Sequence, residues 1–150
     1  MNFMLIALLS LSSAWASCPD FAGRFEWENP DPADTQKIEL RVQQSSCTTI
    51  SAEYDYGQGT VFPRYFQIDG TRRLIYEFED FRLFETHEWK GDKIFVKAEY
   101  EYLIEENQWE TEEIFSYLFL ASPNLLVEKT FRYDENGNDE DVSKSYYLRK

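Results

Sequence analysis

The chain has a single histidine, His87, which lies between Glu85 and Glu88 and is the first candidate for a catalytic or metal-binding side chain. A histidine beside carboxylates can relay protons or bind a metal ion, but the sequence has no second histidine to complete a usual zinc site. A Ser/His/Asp set would need this same histidine, and no GxSxG turn is present. Because an alternating strand exposes every second residue, we predict that His87 lies at a solvated position.

The carboxylates do not single out a catalytic pair, because 28 Asp and Glu residues on a small surface bring some pairs close by chance. The segment from Asp134 to Asp141 has oxygen ligands spaced as in calcium loops. An EF-hand loop requires glycine at its sixth position, however, and that place holds Asp139. We interpret this segment as a solvated hairpin tip. The sequence therefore predicts a non-enzymatic protein with no catalytic residue, no metal site and no cofactor.

Three basic residues share the alternation of apolar neighbours on their strands, namely Arg64, Lys129 and Lys144. Lys129, for example, follows the parity of Phe131 and Tyr133. A base that points into a barrel needs a partner, and it would be a natural anchor for a ligand carboxylate. In the alternative interpretation, Arg64 and Lys144 lie at strand ends and reach water, while an internal Asp or Glu pairs with Lys129. The residues alone leave both interpretations open.

The two cysteines, Cys18 and Cys47, predict one disulfide bond, which would close a loop of about 30 residues and stabilise the fold by roughly 3 to 4 kcal/mol. Oxidising compartments preserve such pairs. A redox or metal-binding thiol pair is the weaker interpretation, because CxxC spacing and a neighbouring histidine are both missing. A lipid-modified Cys18 ranks second, because Trp15 stands where a lipidation signal has an aliphatic residue.

The first residues of the chain have the pattern of an export signal. An apolar run from Phe3 to Leu11 is followed by Ala14-Trp15-Ala16, which places small residues where a signal peptidase reads them. We expect residues 1–16 to be a signal peptide and residues 17–150 to be one domain that is periplasmic or secreted. The run is shorter than the roughly 20 apolar residues of a spanning helix, so we expect no membrane span.

Composition and charge exclude several classes of protein. The chain has 150 residues and a formal net charge of -13, so a sequence-independent grip on the phosphate backbone of nucleic acid is excluded. Aromatic residues make up 17% and charged residues 29%. This mixture is too rich in core-forming side chains for disorder and too polar for a bundle of membrane helices.

Turn-forming residues divide the chain at short, even intervals, and apolar and polar residues alternate between them. Ile38, Leu40 and Val42, for example, share one face of a strand. Asp69-Gly70 and Asn136-Gly137 favour tight hairpins. Two stretches, 35–44 and 74–81, also fit a helical stripe, but we predict strands for both. The pattern predicts an all-β fold, an antiparallel up-and-down meander of about 8 to 10 strands closed into a small barrel.

The segment from Gly23 through Phe25 to Trp27 resembles the opening strand of lipocalin-like (calycin-type) barrels, which begins with Gly, any residue, then Trp. The last strand, which contains Arg149, is similar to the strand whose terminal Arg packs across the first-strand aromatic in those barrels. This chain departs from the pattern, because Phe25 stands where Trp is expected and Trp27 follows two residues later. The resemblance implies that Gly23, Phe25, Trp27 and Arg149 close the barrel.

These observations favour an exported, non-enzymatic β-barrel that binds a small, mostly hydrophobic molecule in its interior. The interior positions that we expect to contact this ligand are mainly aromatic, with two bases: Tyr54, Arg64, Tyr76, Phe78, Tyr100, Tyr102 and Lys129. The alternative is an acidic interaction module or inhibitor that engages a basic protein partner through its surface.

Overall fold

The fold consists of β-strands joined by short connections. A computed structural model describes residues 18–29, 36–57, 59–105 and 108–150, and within these ranges no residue is helical. No described helix is therefore long and apolar enough to cross a membrane. The expected signal peptide, residues 1–16, lies outside the described residues.

The described residues form ten strands, in the order and at about the positions that the turn residues predict. Their bounds are β1 Gly23–Trp27, β2 Glu39–Gln44, β3 Thr49–Asp55, β4 Val61–Gln67, β5 Arg73–Glu77, β6 Phe81–Lys90, β7 Lys93–Glu105, β8 Gln108–Ser122, β9 Leu125–Tyr133 and β10 Asp139–Arg149. The two stretches with an ambiguous helical stripe contribute strands β2 and β5, as predicted.

All ten strands belong to one antiparallel sheet with the order β4-β3-β2-β1-β10-β9-β8-β7-β6-β5. Consecutive strands pair as antiparallel neighbours within β1 to β4 and within β5 to β10, and β1 also pairs with β10, with Phe25 opposite Arg149 and Trp27 opposite Tyr147. The sheet curls so that one face of most strands is buried in a common interior. The predicted all-β, antiparallel up-and-down meander is confirmed.

The two outer strands of the sheet, β4 and β5, do not pair with each other. Closure occurs at one end only, where Ile68 forms an isolated bridge with His87 of β6 and the amide of Gly70 donates to the His87 carbonyl at 3.0 Å. The predicted tight hairpin at Asp69-Gly70 is therefore wrong. These residues do make a turn, and Gly70 has a φ of 72°, but the turn leads β5 away from β4. The sheet is left with a gap in its wall.

The interior core is apolar and lies at the closed end of the barrel. Its largest fully buried side chains include Phe21, Phe25, Phe66, Leu40 and Ile94. Each of these side chains lies in a strand or next to one, at a position where the alternation predicts an apolar, inward-facing residue. Burial of such side chains stabilises a fold by roughly 1.5 to 3 kcal/mol each.

A second aromatic cluster lies on the outer face of the sheet and consists of Phe95, Phe115, Phe131 and Tyr117. Its rings contact one another with centroids 5.2 to 5.8 Å apart. Lysine side chains flank them: the Nζ of Lys90, for example, lies 3.3 Å from the centroid of Phe95. The alternation could not separate this outer set from the inner one, because both are aromatic.

The expectation that the side chains of Lys129 and Lys144 point into the barrel is wrong, because the aromatic residues that share their side of the strand lie on the outer face of the sheet. Neighbouring residues of a strand point to opposite faces. Glu128 and Ser145 line the interior cavity, so Lys129 and Lys144 point outward. Lys129 pairs with Asp141 at 2.6 Å, and the Nζ of Lys144 lies 5.3 Å from the ring centroid of Tyr146.

The predicted disulfide bond between Cys18 and Cys47 is present. It ties the segment before β1 to the turn between β2 and β3. Trp89 of β6 donates its indole N–H to the Cys47 carbonyl at 2.7 Å, and its ring lies 5.9 Å from that of Phe21. The disulfide thus belongs to the closed end of the barrel. Disulfides of this kind are typical of oxidising compartments outside the cytoplasm.

The four residues of the lipocalin-like resemblance lie together at the junction of β1 and β10. The Arg149 guanidinium lies 4.9 Å from the centre of the Phe25 ring, and its Nη1 donates to the Ala22 carbonyl at 2.9 Å. A Cβ on Gly23 would lie 3.2 Å from Arg149 Nη1 and 3.3 Å from Phe25 Cε2. Trp27 packs against the interior core.

Candidate functional site

A cavity of about 700 Å³ opens at the gap between β4 and β5, beyond the apolar core. It is open to solvent along one side. Its walls come from strands β3 to β6, β9 and β10, and they are mostly aromatic or aliphatic with a few polar groups: Tyr54, Tyr56, Phe62, Pro63, Arg64, Tyr65, Leu74, Ile75, Glu85, Glu128, Ser145 and Tyr147. A concave, largely apolar site with a few converging polar groups is the usual form of a small-molecule site.

Arg64 lies between two carboxylates in this cavity, and with Glu85 and Glu128 it forms what we call the polar group. It projects from β4, where the alternation places it on the same face as Phe66. Its Nη1 donates to Glu128 Oε1 at 2.9 Å, and its Nη2 lies 3.4 Å from Glu85 Oε1. The guanidinium also lies 4.9 Å from the ring centroid of Phe66. Arg64 contacts both carboxylates, and because 28% of its side chain is still exposed, it also faces the cavity.

His87 is buried, with 2% of its surface exposed, so the prediction of a solvated position is wrong. The backbone N–H of Gln67 donates to its Nδ1 at 3.2 Å. Since Nδ1 must be an acceptor in that bond, the ring proton belongs on Nε2, which lies 2.9 Å from Glu85 Oε2 and donates to it. His87 is inward because it shares the parity of Glu85 and Trp89, and it connects the backbone at the end of β4 with the carboxylate of Glu85.

The ionisation of this group follows from its contacts. Burial acts to raise the pKa of Glu85, but the hydrogen bond from His87 and the charge of Arg64 outweigh it, so the pKa lies below its usual value. Burial likewise acts to lower the pKa of Arg64, and the charges of Glu85 and Glu128 more than compensate. Arg64 and Glu85 therefore stay charged at neutral pH.

The pKa values of two tyrosines near this polar group are also affected by its negative charge. Tyr54 donates its hydroxyl to Glu128 Oε2 at 3.5 Å, and its ring lies 6.4 Å from that of Tyr147. Burial, and after it the negative charge of Glu128, raises the pKa of both tyrosines well above the ordinary value. Both hydroxyls are therefore protonated and can serve as hydrogen-bond donors.

The structure brings only part of the predicted ligand set to the cavity. Tyr54 and Arg64 line it. Tyr76, Phe78, Tyr100 and Tyr102 form a separate aromatic group around Phe81, whose ring centroid lies 5.5 Å from that of Tyr102 and 6.2 Å from those of Tyr76 and Tyr100. Lys129 lies on the outer face and does not reach the interior.

Several cavity residues were missed, chiefly Glu85, Glu128, Ser145 and Tyr147. The signal that could have found Glu128 is its parity with Leu126, which is fully buried. Leu125, Leu126 and Val127 are all apolar, however, so that stretch of β9 fits either parity equally well. Glu85 shares the parity of Trp89, but a carboxylate among charged neighbours reads as solvated.

The acidic hairpin tip between β9 and β10 is internally satisfied. Asp134 Oδ1 accepts the backbone N–H groups of Asn136 and Asn138, each at 2.8 Å. These bonds lower the pKa of Asp134. Over the described ranges, no group of three or more His, Cys, Asp or Glu side chains is arranged to hold a metal ion.

Comparison with known proteins gives a fold but no relative in sequence. No protein-family model and no curated protein matches the chain. Among solved structures, wild-type UnaG, a fluorescent protein, has a TM-score of 0.56 and 12% sequence identity, with 87% of this chain and 96% of that chain covered. A "secretary abundant heat soluble (SAHS) protein" from Ramazzottius varieornatus has a TM-score of 0.53 and 10% identity, with 87% of this chain and 95% of that chain covered.

The chain has a lipocalin-like, calycin-type fold. A point mutant of UnaG is similar to the same extent, with a TM-score of 0.54 and 14% identity, and 87% of this chain and 95% of that chain are covered. In all three comparisons the likeness covers 87% of this chain. At these identities it carries the fold only.

Proposed function

We propose that this protein is an exported, non-enzymatic binding protein that holds a small, mostly apolar molecule in the cavity between β4 and β5. The observation that carries the proposal is the open cavity of about 700 Å³, in which aromatic walls converge on one buried polar group. Aromatic side chains supply large apolar contact area, and tyrosine hydroxyls add a few directed polar contacts. The disulfide supports an oxidising compartment.

Exposed apolar side chains around the opening support the same function. Phe62 is 57% exposed and Tyr65 69% on the β4 side, and Leu74 and Ile75 are 49% and 47% exposed on the β5 side. Contiguous exposed apolar surface of this kind marks binding sites more often than plain surface. A ligand that enters through the gap would cover these side chains.

Binding can be tested with the neutral, environment-sensitive dye prodan, followed by its fluorescence and by calorimetry on the oxidised protein. Ser145→Trp places a large ring into the cavity and should weaken prodan binding at least about tenfold. Lys144→Trp is the matched control, since Lys144 is the exposed neighbour of Ser145 on the outer face of β10 and does not line the cavity. Circular dichroism checks that both variants are folded.

The expected result is saturable binding by the unmodified protein that only the cavity variant loses. Equal loss in both variants, or no binding by the folded protein, would contradict the proposal.

A further inference from the structure

More negative than positive side chains line the cavity. Within the described residues they are Arg64, Glu85 and Glu128, so one guanidinium faces two carboxylates. Arg64 already donates to Glu128 at 2.9 Å and lies 3.4 Å from Glu85, and so its charge is neutralised by the protein itself. The polar group as a whole keeps a net negative charge.

This balance works against a ligand carboxylate. A third carboxylate beside Glu85 and Glu128 would be repelled by both, in a place where burial weakens screening. It could reach Arg64 only by replacing one of two existing ion pairs and leaving that glutamate without its partner, which is costly in a buried site. The acidity of the whole chain, with a net charge of -13, adds to the same repulsion.

A cation, by contrast, finds acceptors and rings. Each carboxylate oxygen can accept more than one hydrogen bond, and among the described residues the Oε2 of Glu128 has only the 3.5 Å contact from Tyr54. The rings of Tyr54, Tyr56, Phe62 and Tyr147 line the same cavity. Aromatic faces attract alkylammonium groups, and the attraction strengthens when the site is desolvated.

We propose that the cavity binds an amphipathic cation, an amine or quaternary ammonium group carried on an aromatic or aliphatic body, with Glu128 and Glu85 as its counter-charges and the surrounding rings as its walls. This inference rests on the proposed binding function and specifies the chemical class of the ligand.

Three probes with the same apolar body separate the classes: 2-(1-naphthyl)ethylamine, 2-(1-naphthyl)ethanol and 1-naphthylacetate, titrated into the oxidised protein at pH 7 and followed by calorimetry. The amine should bind about tenfold more tightly than the alcohol, and the alcohol more tightly than the carboxylate. No binding by any probe removes the binding function itself. Binding of the alcohol without a preference for the amine, or tighter binding of the carboxylate, overturns the cation assignment alone.

Charge-removing variants locate the preference. Glu128→Gln should abolish the tenfold amine preference and leave the alcohol affinity within about twofold, because the shape of the cavity is kept. Glu85→Gln should act in the same direction. Glu53→Gln is the matched control, since Glu53 is the exposed neighbour of Tyr54 on the opposite face of β3 and changes the total charge equally. An amine preference that survives in both cavity variants, or that Glu53→Gln also removes, overturns the assignment.

Discussion

At the residue scale, one chain of contacts decides the character of the interior. It runs from the Gln67 amide through His87 and Glu85 to Arg64, and from Arg64 on to Glu128. Each member satisfies a buried polar group of the next, as buried polar atoms require. Because the chain starts at the end of β4 and passes through β6 to β9, it also holds strands together across the gap that has no ladder of backbone bonds.

The stability of the fold should depend on the ionisation of Glu85. Its pKa in the folded protein lies below the ordinary 4.5, so the stabilisation is fully present above the ordinary value and is lost as the pH falls from there through the lower pKa of the folded state. We therefore expect the free energy of unfolding to decrease between pH 6 and pH 3, and to decrease less steeply in Glu85→Gln. Urea denaturation at a series of pH values measures both slopes.

Exposed carboxylates whose pKa is also lowered, such as Asp69 and Asp134, contribute to the same decrease in every variant. The difference between the parent protein and Glu85→Gln isolates the buried group. Glu53→Gln serves as the control, because Glu53 is exposed and should leave the slope unchanged. Parallel slopes for the parent and Glu85→Gln would show that Glu85 plays no such part.

Individual side chains mark where prediction from sequence stops. The sequence left the orientation of Arg64 open, and in the structure Arg64 lines the cavity on the same face of its strand as the buried Phe66. Lys129 was misplaced, because its strand carries aromatic residues on the outer face as well. His87 was misplaced because a polar residue on a strand is ordinarily solvated, and only the convergence of β4 and β6 supplies its partners.

At the element scale, the turn residues predicted the strands well, since glycine, proline and asparagine interrupt a sheet for local reasons. The turn residues could not predict whether β4 and β5 pair with each other, and in the structure they do not. Whether two strands joined by Asp69-Gly70 form a ladder depends on how far the whole sheet has curled when it meets itself. Pro63 in β4 is consistent with the outcome, because proline is tolerated in sheets at edge strands.

The junction of β1 and β10 depends on a close approach at Gly23. Gly23→Ala would push a Cβ to 3.2 Å from Arg149 and 3.3 Å from Phe25, so the stacked pair must shift. We expect a loss of about 1 to 2 kcal/mol in the free energy of unfolding. Chemical denaturation measures this loss.

Gly57→Ala is the control for this substitution. Gly57 has a φ of 79° and, among the described residues, no atom within 4 Å of its virtual Cβ, so the variant reports backbone strain without a close contact. Gly23, with a φ of 156°, combines backbone strain with the close contact. A cost at Gly23 no larger than that at Gly57 would mean that the contact with Arg149 and Phe25 adds nothing.

At the scale of the whole molecule, negative charge is in excess, since the net charge of the chain is -13. Lysines flank the outer aromatic cluster, including Lys90, Lys93 and Lys129. The surface as a whole carries more acidic than basic side chains. Engagement of a basic protein partner by that surface stays a prediction, as do export through the leader and the absence of enzymatic activity.

Self-repulsion of this excess charge should make stability depend on salt. Because screening shortens the range of the repulsion, we expect Tm to rise by about 2 to 5 °C between 10 mM and 500 mM NaCl. Calorimetry at pH 7 measures the change. A double variant, Glu53→Gln with Glu135→Gln, removes exposed negative charge and should show a smaller rise. A Tm that falls with salt would indicate that attractive ion pairs outweigh the repulsion.

The ladder between β1 and β10 has a consequence for the order in which the protein can form. Strands β1 to β4 and β5 to β10 each make a self-contained run of hairpins, and their backbones join in a continuous ladder only at β1 and β10. During synthesis the N-terminal run must wait, with one strand edge bare, until β10 has emerged from the ribosome. A nascent chain of this topology spends that interval exposed to aggregation, and it acquires its cavity only in the last step of folding.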